Sequence, residues 1–103
     1  MVEKIQTIST TSTKNPGNLT AACAMRLFPD EKFVYCTNAG ENTVTIYRRD
    51  EESGLLTMIS CLPVSGEYPK DVAIFPDQKH IASINHDSGS ISFFEVNYEK
   101  GLL

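Results

Sequence analysis

The sequence has few of the features that mark nucleic-acid-binding, membrane or secreted proteins. Among its 103 residues no basic run is longer than Arg48-Arg49, and the formal net charge is −4, so a footprint for a phosphate backbone is not expected. The apolar runs are only a few residues long, which argues against a membrane-spanning helix. No apolar leader follows Met1, so no signal peptide is expected. We therefore predict no nucleic-acid partner and no membrane partner.

Residues that carry chemistry are also sparse. The three cysteines, Cys23, Cys36 and Cys61, are odd in number and lie in apolar stretches, which favours reduced thiols and a cytoplasmic location. The two histidines, His80 and His86, lack the spacing of a metal site. There is no glycine-rich phosphate loop and no nucleophile elbow. The sequence thus predicts no metal and no cofactor.

The sequence does contain an internal repeat. FPDEK at residues 28–32 returns as FPDQK at 75–79, and the match continues without a gap at a spacing of 47 residues. Nine identities fall within 29 aligned positions, among them Asn38 with Asn85 and Gly54 with Gly101. A fixed spacing of about 20–50 residues is typical of solenoids, propellers and other arrays.

Each repeat has the pattern of four short strands separated by turn residues. Alternating and β-branched residues predict strand a at 22–28 and 70–75, b at 32–37 and 80–84, c at 43–48 and 90–96, and d at 55–64, with a second d cut off at Leu103. This pattern predicts an all-β propeller segment of about two four-stranded antiparallel blades, the alternative being a sandwich of about eight strands. We divide the chain into an N-terminal strand and linker (1–21), a first blade (22–68) and a truncated second blade (69–103). Phe75 is expected in the core.

Several motifs in residues 22–103 resemble a known family. They are Pro-Asp-x-Lys, Asn38-x-Gly40 at the end of strand b, a Glu-x-Gly-x-Leu turn, and Pro69-x-Asp71 at the start of the next blade. The segment resembles late blades of the seven-bladed lactonase propellers, the 6-phosphogluconolactonase-like family, which is related to carboxymuconate lactonizing enzymes. The resemblance implies hydrolysis of a sugar lactone such as 6-phosphogluconolactone, a small anionic substrate. The alternative is a non-catalytic propeller segment that acts in assembly or ligand binding.

Candidate site residues follow from the direction of the strands. In a four-stranded meander the b–c loops and the d–a loop lie at one end, so the polar residues of these loops converge. The predicted catalytic residues are Asp71 and His86, and the predicted substrate-binding residues are Lys70, Asn38, Asn85 and Glu41. Each has a structural alternative: the asparagines would bond nearby backbone, Asp71 would tie two blades together, and Lys70 and His86 would be surface residues.

Departures from the family pattern weaken a phosphosugar site. Many relatives carry arginine where this chain has Ala39 and His86, and again where it has Lys70. Arginine binds anions with two parallel hydrogen bonds, which alanine, histidine and lysine do not reproduce. These losses favour the non-catalytic alternative, whereas the resemblance as a whole favours the lactonase.

The N-terminal residues have the pattern of a strand d that belongs to neither of the two predicted blades. Residues 2–10 have a β pattern, and the second blade lacks its last strand. We therefore expect residues 2–10 to pair beside strand c at 90–96, in the same chain or in a neighbouring copy. The alternative is that this strand belongs to a missing blade of a larger ring. The predicted protein partners are accordingly the remaining blades or other copies of the chain.

Overall fold

The computed structural model describes residues 3–11, 21–28, 30–64, 66–77 and 79–96, and every regular element among them is a β-strand. The strands are β1 Ala21–Leu27, β2 Phe33–Ala39, β3 Thr43–Arg49, β4 Leu56–Pro63, β5 Pro69–Ile74, β6 His80–Asn85 and β7 Ser90–Glu95. Sheet 1 has the order β1-β2-β3-β4 and sheet 2 the order β5-β6-β7, with antiparallel pairing throughout. The predicted all-β propeller segment is confirmed. The expected second strand d lies outside the described residues.

Aspartates close the same hairpin in both repeats. Asp30 Oδ1 accepts a hydrogen bond from the amide of Lys32 at 2.9 Å, and Asp77 Oδ1 accepts one from the amide of Lys79 at 2.8 Å. The bond from Lys79 and a second from His80 hold the pKa of Asp77 below its usual value. An aspartate that bonds backbone two residues ahead stabilises a tight turn, so the repeated Asp-x-Lys pattern joins strands a and b in each sheet.

The two sheets pack against each other around one apolar core. Side chains in a strand alternate between faces, so every second residue of β2 and β3 points towards sheet 2. The buried core residues are Phe28, Phe33, Tyr35, Val44, Ile46, Val64, Val72 and Ile81. Phe28 and Tyr35 are both 0% exposed, with ring centroids 5.7 Å apart. Burial of each large apolar side chain contributes about 1.5–3 kcal/mol to stability.

Phe75 is partly exposed, whereas its repeat equivalent, Phe28, is buried. Phe28 lies between the sheets, whereas Phe75 is 37% exposed and rests against Phe93 at 5.2 Å between ring centroids. The expectation that Phe75 lies in the core is therefore wrong. The two rings differ in exposure because sheet 2 covers Phe28, whereas no third sheet among the described residues covers Phe75.

The face of sheet 1 turned away from sheet 2 has its own apolar cluster. Val34, Cys36 and Tyr47 form this cluster, and residues 3–11 of the chain lie along it. Ile8 packs against the cluster, and Tyr47 donates its hydroxyl to the carbonyl of Ser9 at 2.5 Å. Burial raises the pKa of Tyr47 to about 12. The segment thus shields a surface that would otherwise be exposed to water.

Within one chain, the expected position of the N-terminal segment is wrong. Its pairing beside β7 of a neighbouring copy, or with a missing blade of a larger ring, stays a prediction. The described part of it, residues 3–11, is not in a strand and does not lie beside β7 in this chain. Gln6 instead bonds both backbone groups of Leu56 with its side chain, at 2.8 and 2.9 Å. The segment contacts sheet 1 because burial of Ile8 on the outer cluster stabilises it there.

Candidate functional site

The loops expected to converge at one end of the sheets do so. The loop between β4 and β5 bonds the β2–β3 loop, since the amide of Tyr68 donates to Asn42 Oδ1 at 2.9 Å. It also bonds the β6–β7 loop, where the amide of His86 donates to the Tyr68 carbonyl at 2.9 Å and the amide of Asp87 to the Glu67 carbonyl at 3.2 Å. We call this end the upper rim, formed by residues 40–42, 66–68 and 86–89.

His86 lies on the upper rim beside the carboxylate of Asp87. Its Nδ1 lies 3.0 Å from Asp87 Oδ1, and its ring meets Tyr68 edge-on at 6.0 Å between centroids. The side chains of His86 and Asp87 are 64% and 55% exposed, so both face solvent. When Nδ1 carries the proton donated to Asp87, Nε2 keeps a lone pair that can accept a proton from water.

Asp71 joins the two sheets through an ion pair. Its Oδ2 lies 2.8 Å from the guanidinium of Arg26 on β1, and its Oδ1 accepts a bond from the amide of Val72 at 2.7 Å. Both carboxylate oxygens are therefore engaged, which makes Asp71 less available as a base for water. Sequence reasoning missed Arg26, because its repeat equivalent is Ala73 and the repeat gave no signal there.

Lys70 occupies a bulge that both repeats share. The pairing of β5 with β6 shifts between Pro69 and Asp71, and the pairing of β1 with β2 shifts between Ala22 and Ala24. Residues 23 and 70 are 47 positions apart, so Cys23 is the equivalent of Lys70. Bulges re-aim side chains at rims and sites. Lys70 is exposed and makes no ion pair with the described residues, so its ammonium is available to an anion.

Asn38 lies in β2 and Asn85 lies at the end of β6. The side chain of each asparagine links its strand to the next strand of the same sheet. Asn38 Nδ2 donates to the hydroxyls of Thr43 and Thr45, both at 3.1 Å, and Asn85 Nδ2 donates to Ser90 at 3.3 Å and Ser92 at 2.9 Å. Both asparagines are almost fully buried. These positions favour the structural alternative, and substrate binding by the two amides stays a prediction.

The two asparagines differ in their other bonds. Asn38 Nδ2 also donates to the carbonyl of Thr10, at 2.6 Å. Asn85 Oδ1 accepts a hydrogen bond from Ser83 at 2.9 Å, whereas the equivalent of Ser83 in the first repeat is Cys36. Cys36 turns its thiol to the Thr37 carbonyl instead. As a result, the buried Asn38 Oδ1 accepts no hydrogen bond from any donor in the described part of the chain.

This difference predicts opposite effects for two small substitutions. Ser83→Ala should lower the free energy of unfolding by about 1–3 kcal/mol, because it leaves a buried oxygen of Asn85 without a partner. Cys36→Ser should leave the free energy unchanged or raise it by up to about 1 kcal/mol, because it supplies the missing donor to Asn38. Urea unfolding of both variants measures the difference, and equal losses would contradict this account.

Glu41 belongs to a hydrogen-bonded group beside β4. Its Oε1 accepts bonds from the Thr43 hydroxyl at 3.0 Å and from the Cys61 thiol at 3.2 Å, and Thr45 donates to the same thiol at 3.2 Å. Burial raises the pKa of the Cys61 thiol, and burial likewise raises that of Cys36. Both thiols are therefore protonated near neutral pH, and all three cysteines are free. These bonds hold the Glu41 carboxylate in place. Contact between Glu41 and a substrate stays a prediction.

The comparisons with known proteins assign the family. The family described as "Lactonase, 7-bladed beta-propeller" matches residues 1–103. The chain belongs to the seven-bladed lactonase propeller family. A 6-phosphogluconolactonase of Formosa agariphila is similar to it, with 32% identity over 81 residues, which are 77% of this chain and 23% of that protein. A 6-phosphogluconolactonase of Bacillus subtilis has 26% identity over 80 residues, 78% of this chain and 23% of that protein.

A solved structure agrees with this assignment. The crystal structure of a Bacteroides fragilis protein, a candidate 6-phosphogluconolactonase, superposes with a TM-score of 0.85 and 29% identity, covering 100% of this chain and 28% of that one. The chain thus spans about a quarter of the length of the relatives it matches.

Among the described residues, no group of three or more His, Cys, Asp or Glu side chains is arranged to hold a metal ion. The same residues contain no helix of the length and apolar character that crossing a membrane requires.

Proposed function

We propose that this chain is part of a propeller that hydrolyses a sugar lactone, with 6-phosphogluconolactone as the type of substrate. The observation that carries the proposal is the family match over residues 1–103. The names of the Bacillus and Formosa relatives support the substrate class. The upper rim supplies polar groups of the kind that such a reaction needs.

In the proposed reaction, His86 acts as the general base. Nε2 takes a proton from water while the water oxygen bonds to the lactone carbonyl carbon, and Asp87 holds Nδ1 and stabilises the imidazolium. The ring C–O bond of the tetrahedral intermediate then breaks, and the leaving oxygen takes the proton from His86. The product is the open-chain hydroxy acid. Lys70 holds the anionic end of the substrate as a point charge.

The remaining predicted residues support this arrangement in other roles. Asp71 holds the two inner strands together through Arg26, which keeps the bulge at Lys70 in place. Glu41, Asn38 and Asn85 fix the rim loops from inside the sheets. The partners that complete the site are the remaining blades of a ring or other copies of the chain. The free cysteines are consistent with a cytoplasmic location, which we retain as part of the proposal.

The 103-residue chain by itself is expected to hydrolyse 6-phosphogluconolactone no faster than the spontaneous reaction. Two sheets do not enclose the channel that would orient substrate and water, and orientation supplies much of the rate in such reactions. Assay of the purified chain with the spontaneous rate subtracted measures this. Clear turnover that Lys70→Ala reduces would contradict the need for further blades.

A second candidate is ligand binding without catalysis. The observation that favours it is that the two carboxylates among the predicted site residues are engaged, Asp71 by Arg26 and Glu41 by Thr43 and Cys61. Under this alternative Lys70 and the upper rim would hold a sugar acid without converting its lactone. A complete ring that binds 6-phosphogluconate but does not hydrolyse the lactone above background would favour it over the lactonase.

A further inference from the structure

Tyr68, in the loop between β4 and β5, has a backbone conformation that bulky residues rarely adopt. Its φ is 58°, in the left-handed region, where Cβ approaches the backbone closely. The buried Pro69 follows directly, and a proline further restricts the residue before it. The side chain of Tyr68 is not held in a core, since the residue is 39% exposed. Strain of this kind persists only where the surroundings impose it, and it is concentrated at functional sites.

Two hydrogen bonds hold the peptide groups on either side of Tyr68. Its amide donates to Asn42 Oδ1 in the loop between β2 and β3, and its carbonyl accepts from the amide of His86, both at 2.9 Å. Together these bonds fix the rotation about the Tyr68 backbone, which sets the direction of its Cα–Cβ bond. The phenol ring then meets the imidazole of His86 edge-on, at 6.0 Å between centroids.

The first repeat makes the same strand pairing without this pair of rings. At the spacing of 47 residues, Tyr68 corresponds to Ala21 and His86 to Ala39, and the two alanines are direct partners in the pairing of β1 with β2. Ala21 has no positive φ. The pairing at the upper rim therefore requires neither an aromatic ring nor a left-handed residue, so it does not explain the strain at Tyr68.

Asn42 supplies a bond that its own loop does not need. Its repeat equivalent is Gly89, and both residues have a φ of 61°. The turn thus requires a left-handed residue, which glycine provides without a side chain. Asn42 meets the same requirement and adds the oxygen that accepts the bond from Tyr68. The side chain of Asn42 therefore acts on the neighbouring loop rather than on its own turn.

We propose that Tyr68 is a positioning residue for His86, and that Asn42 acts on the imidazole through Tyr68. The side chain of His86 is 64% exposed, and exposed side chains exchange rapidly between rotamers. Asp87 holds Nδ1, and the Tyr68 ring adds a second contact, so the two together restrict the direction of Nε2. The benefit to catalysis rests on the proposed function of His86, whereas the orientation of its ring is a property of this chain.

The first experiment measures the rotamers of His86 in the 103-residue chain by NMR, from the couplings between its Hα and Hβ protons. The wild type should show the unequal couplings of one rotamer and Overhauser effects between the two rings. Asn42→Asp keeps an acceptor oxygen and should behave alike. Asn42→Gly keeps the backbone that Gly89 adopts but lacks the acceptor, so the couplings should become averaged and the Overhauser effects weaker. Tyr68→Leu, which removes the ring, gives the same test if Asn42→Gly does not fold.

A pair of substitutions at residue 68 separates the strain from the ring. Tyr68→Gly and Tyr68→Ala both remove the ring, but only glycine adopts a φ of 58° without steric cost. Tyr68→Gly should therefore unfold at a higher temperature than Tyr68→Ala, while the couplings of His86 are averaged equally in both. A higher unfolding temperature for Tyr68→Ala, or averaged couplings already in the folded wild type, would overturn the proposal whatever the lactonase assay shows.

The second experiment measures turnover in a complete ring, with residues 21–96 placed in the Bacillus subtilis 6-phosphogluconolactonase that is 26% identical over 80 residues. Tyr68→Leu should lower kcat about 10-fold with little change in KM, because it disturbs the orientation of the base. Tyr68→Phe keeps the ring and should restore most of kcat. If His86→Ala is inactive but Tyr68→Leu has full kcat, the positioning role is wrong and the proposed function stands. If His86→Ala is fully active, the proposed reaction is wrong, and the couplings of His86 still decide whether Tyr68 orients it.

Discussion

Replacing Phe28 with alanine is expected to lower the free energy of unfolding by about 3–5 kcal/mol. The side chain is 0% exposed and lies in the core between the two sheets, with Tyr35 at 5.7 Å between ring centroids. Removing the ring leaves a cavity that the surrounding strands fill only in part, so the loss of burial and the cavity both destabilise the fold. Urea unfolding followed by circular dichroism measures the change.

Phe75→Ala is the matched control, because both phenylalanines precede the same Pro-Asp pair in the two repeats. Phe75 is 37% exposed, and its neighbours are Phe93 and His80 on the outer side of sheet 2. Its truncation should lower the free energy of unfolding by only about 1–2 kcal/mol, since less apolar surface leaves water. Equal losses for the two variants would show that both rings are buried in solution and would contradict the exposure of the outer side.

The comparison of these two residues shows where sequence reasoning about the fold succeeded and where it failed. The strand pattern depends on local alternation and turn residues, and these are present in the chain itself, so all seven described strands were predicted to within a few residues. Burial depends on what packs against a strand. The repeat makes Phe28 and Phe75 alike in sequence, but among the described residues a second sheet covers Phe28 and none covers Phe75.

For the upper rim too, one part of the arrangement could be predicted from the sequence and another part could not. The convergence of its loops followed from strand direction alone, and the bonds of Tyr68 to Asn42 and His86 agree with it. The pairing of Arg26 with Asp71 could not be predicted, because it depends on how β1 and β5 approach each other across two sheets. The separation of two sheets is set by side-chain packing, which a repeat pattern does not specify.

In a complete ring, His86→Ala is expected to lower kcat/KM for 6-phosphogluconolactone by about 100-fold or more, the usual effect of losing a general base. The ring can be supplied by a chimera in which residues 21–96 replace the matching segment of the Bacillus subtilis 6-phosphogluconolactonase, which is 26% identical over 80 residues. Asp87→Asn should have a smaller effect, about 10-fold, because it weakens the orientation of His86 but leaves Nε2 in place.

His80→Ala is the matched control for this prediction, since the chain contains a second histidine–aspartate pair at the other end of sheet 2. His80 Nδ1 lies 2.6 Å from Asp77 Oδ2 in the β5–β6 turn, and its ring stacks on Phe93. A base must lie within hydrogen-bond reach of the attacking water, so a pair at the opposite end cannot replace His86. Activity should therefore stay within about 2-fold of the parent chimera. If both alanine variants lost activity equally while thermal unfolding confirmed that they were folded, the effect of His86 would be structural and the upper rim would not be the catalytic end.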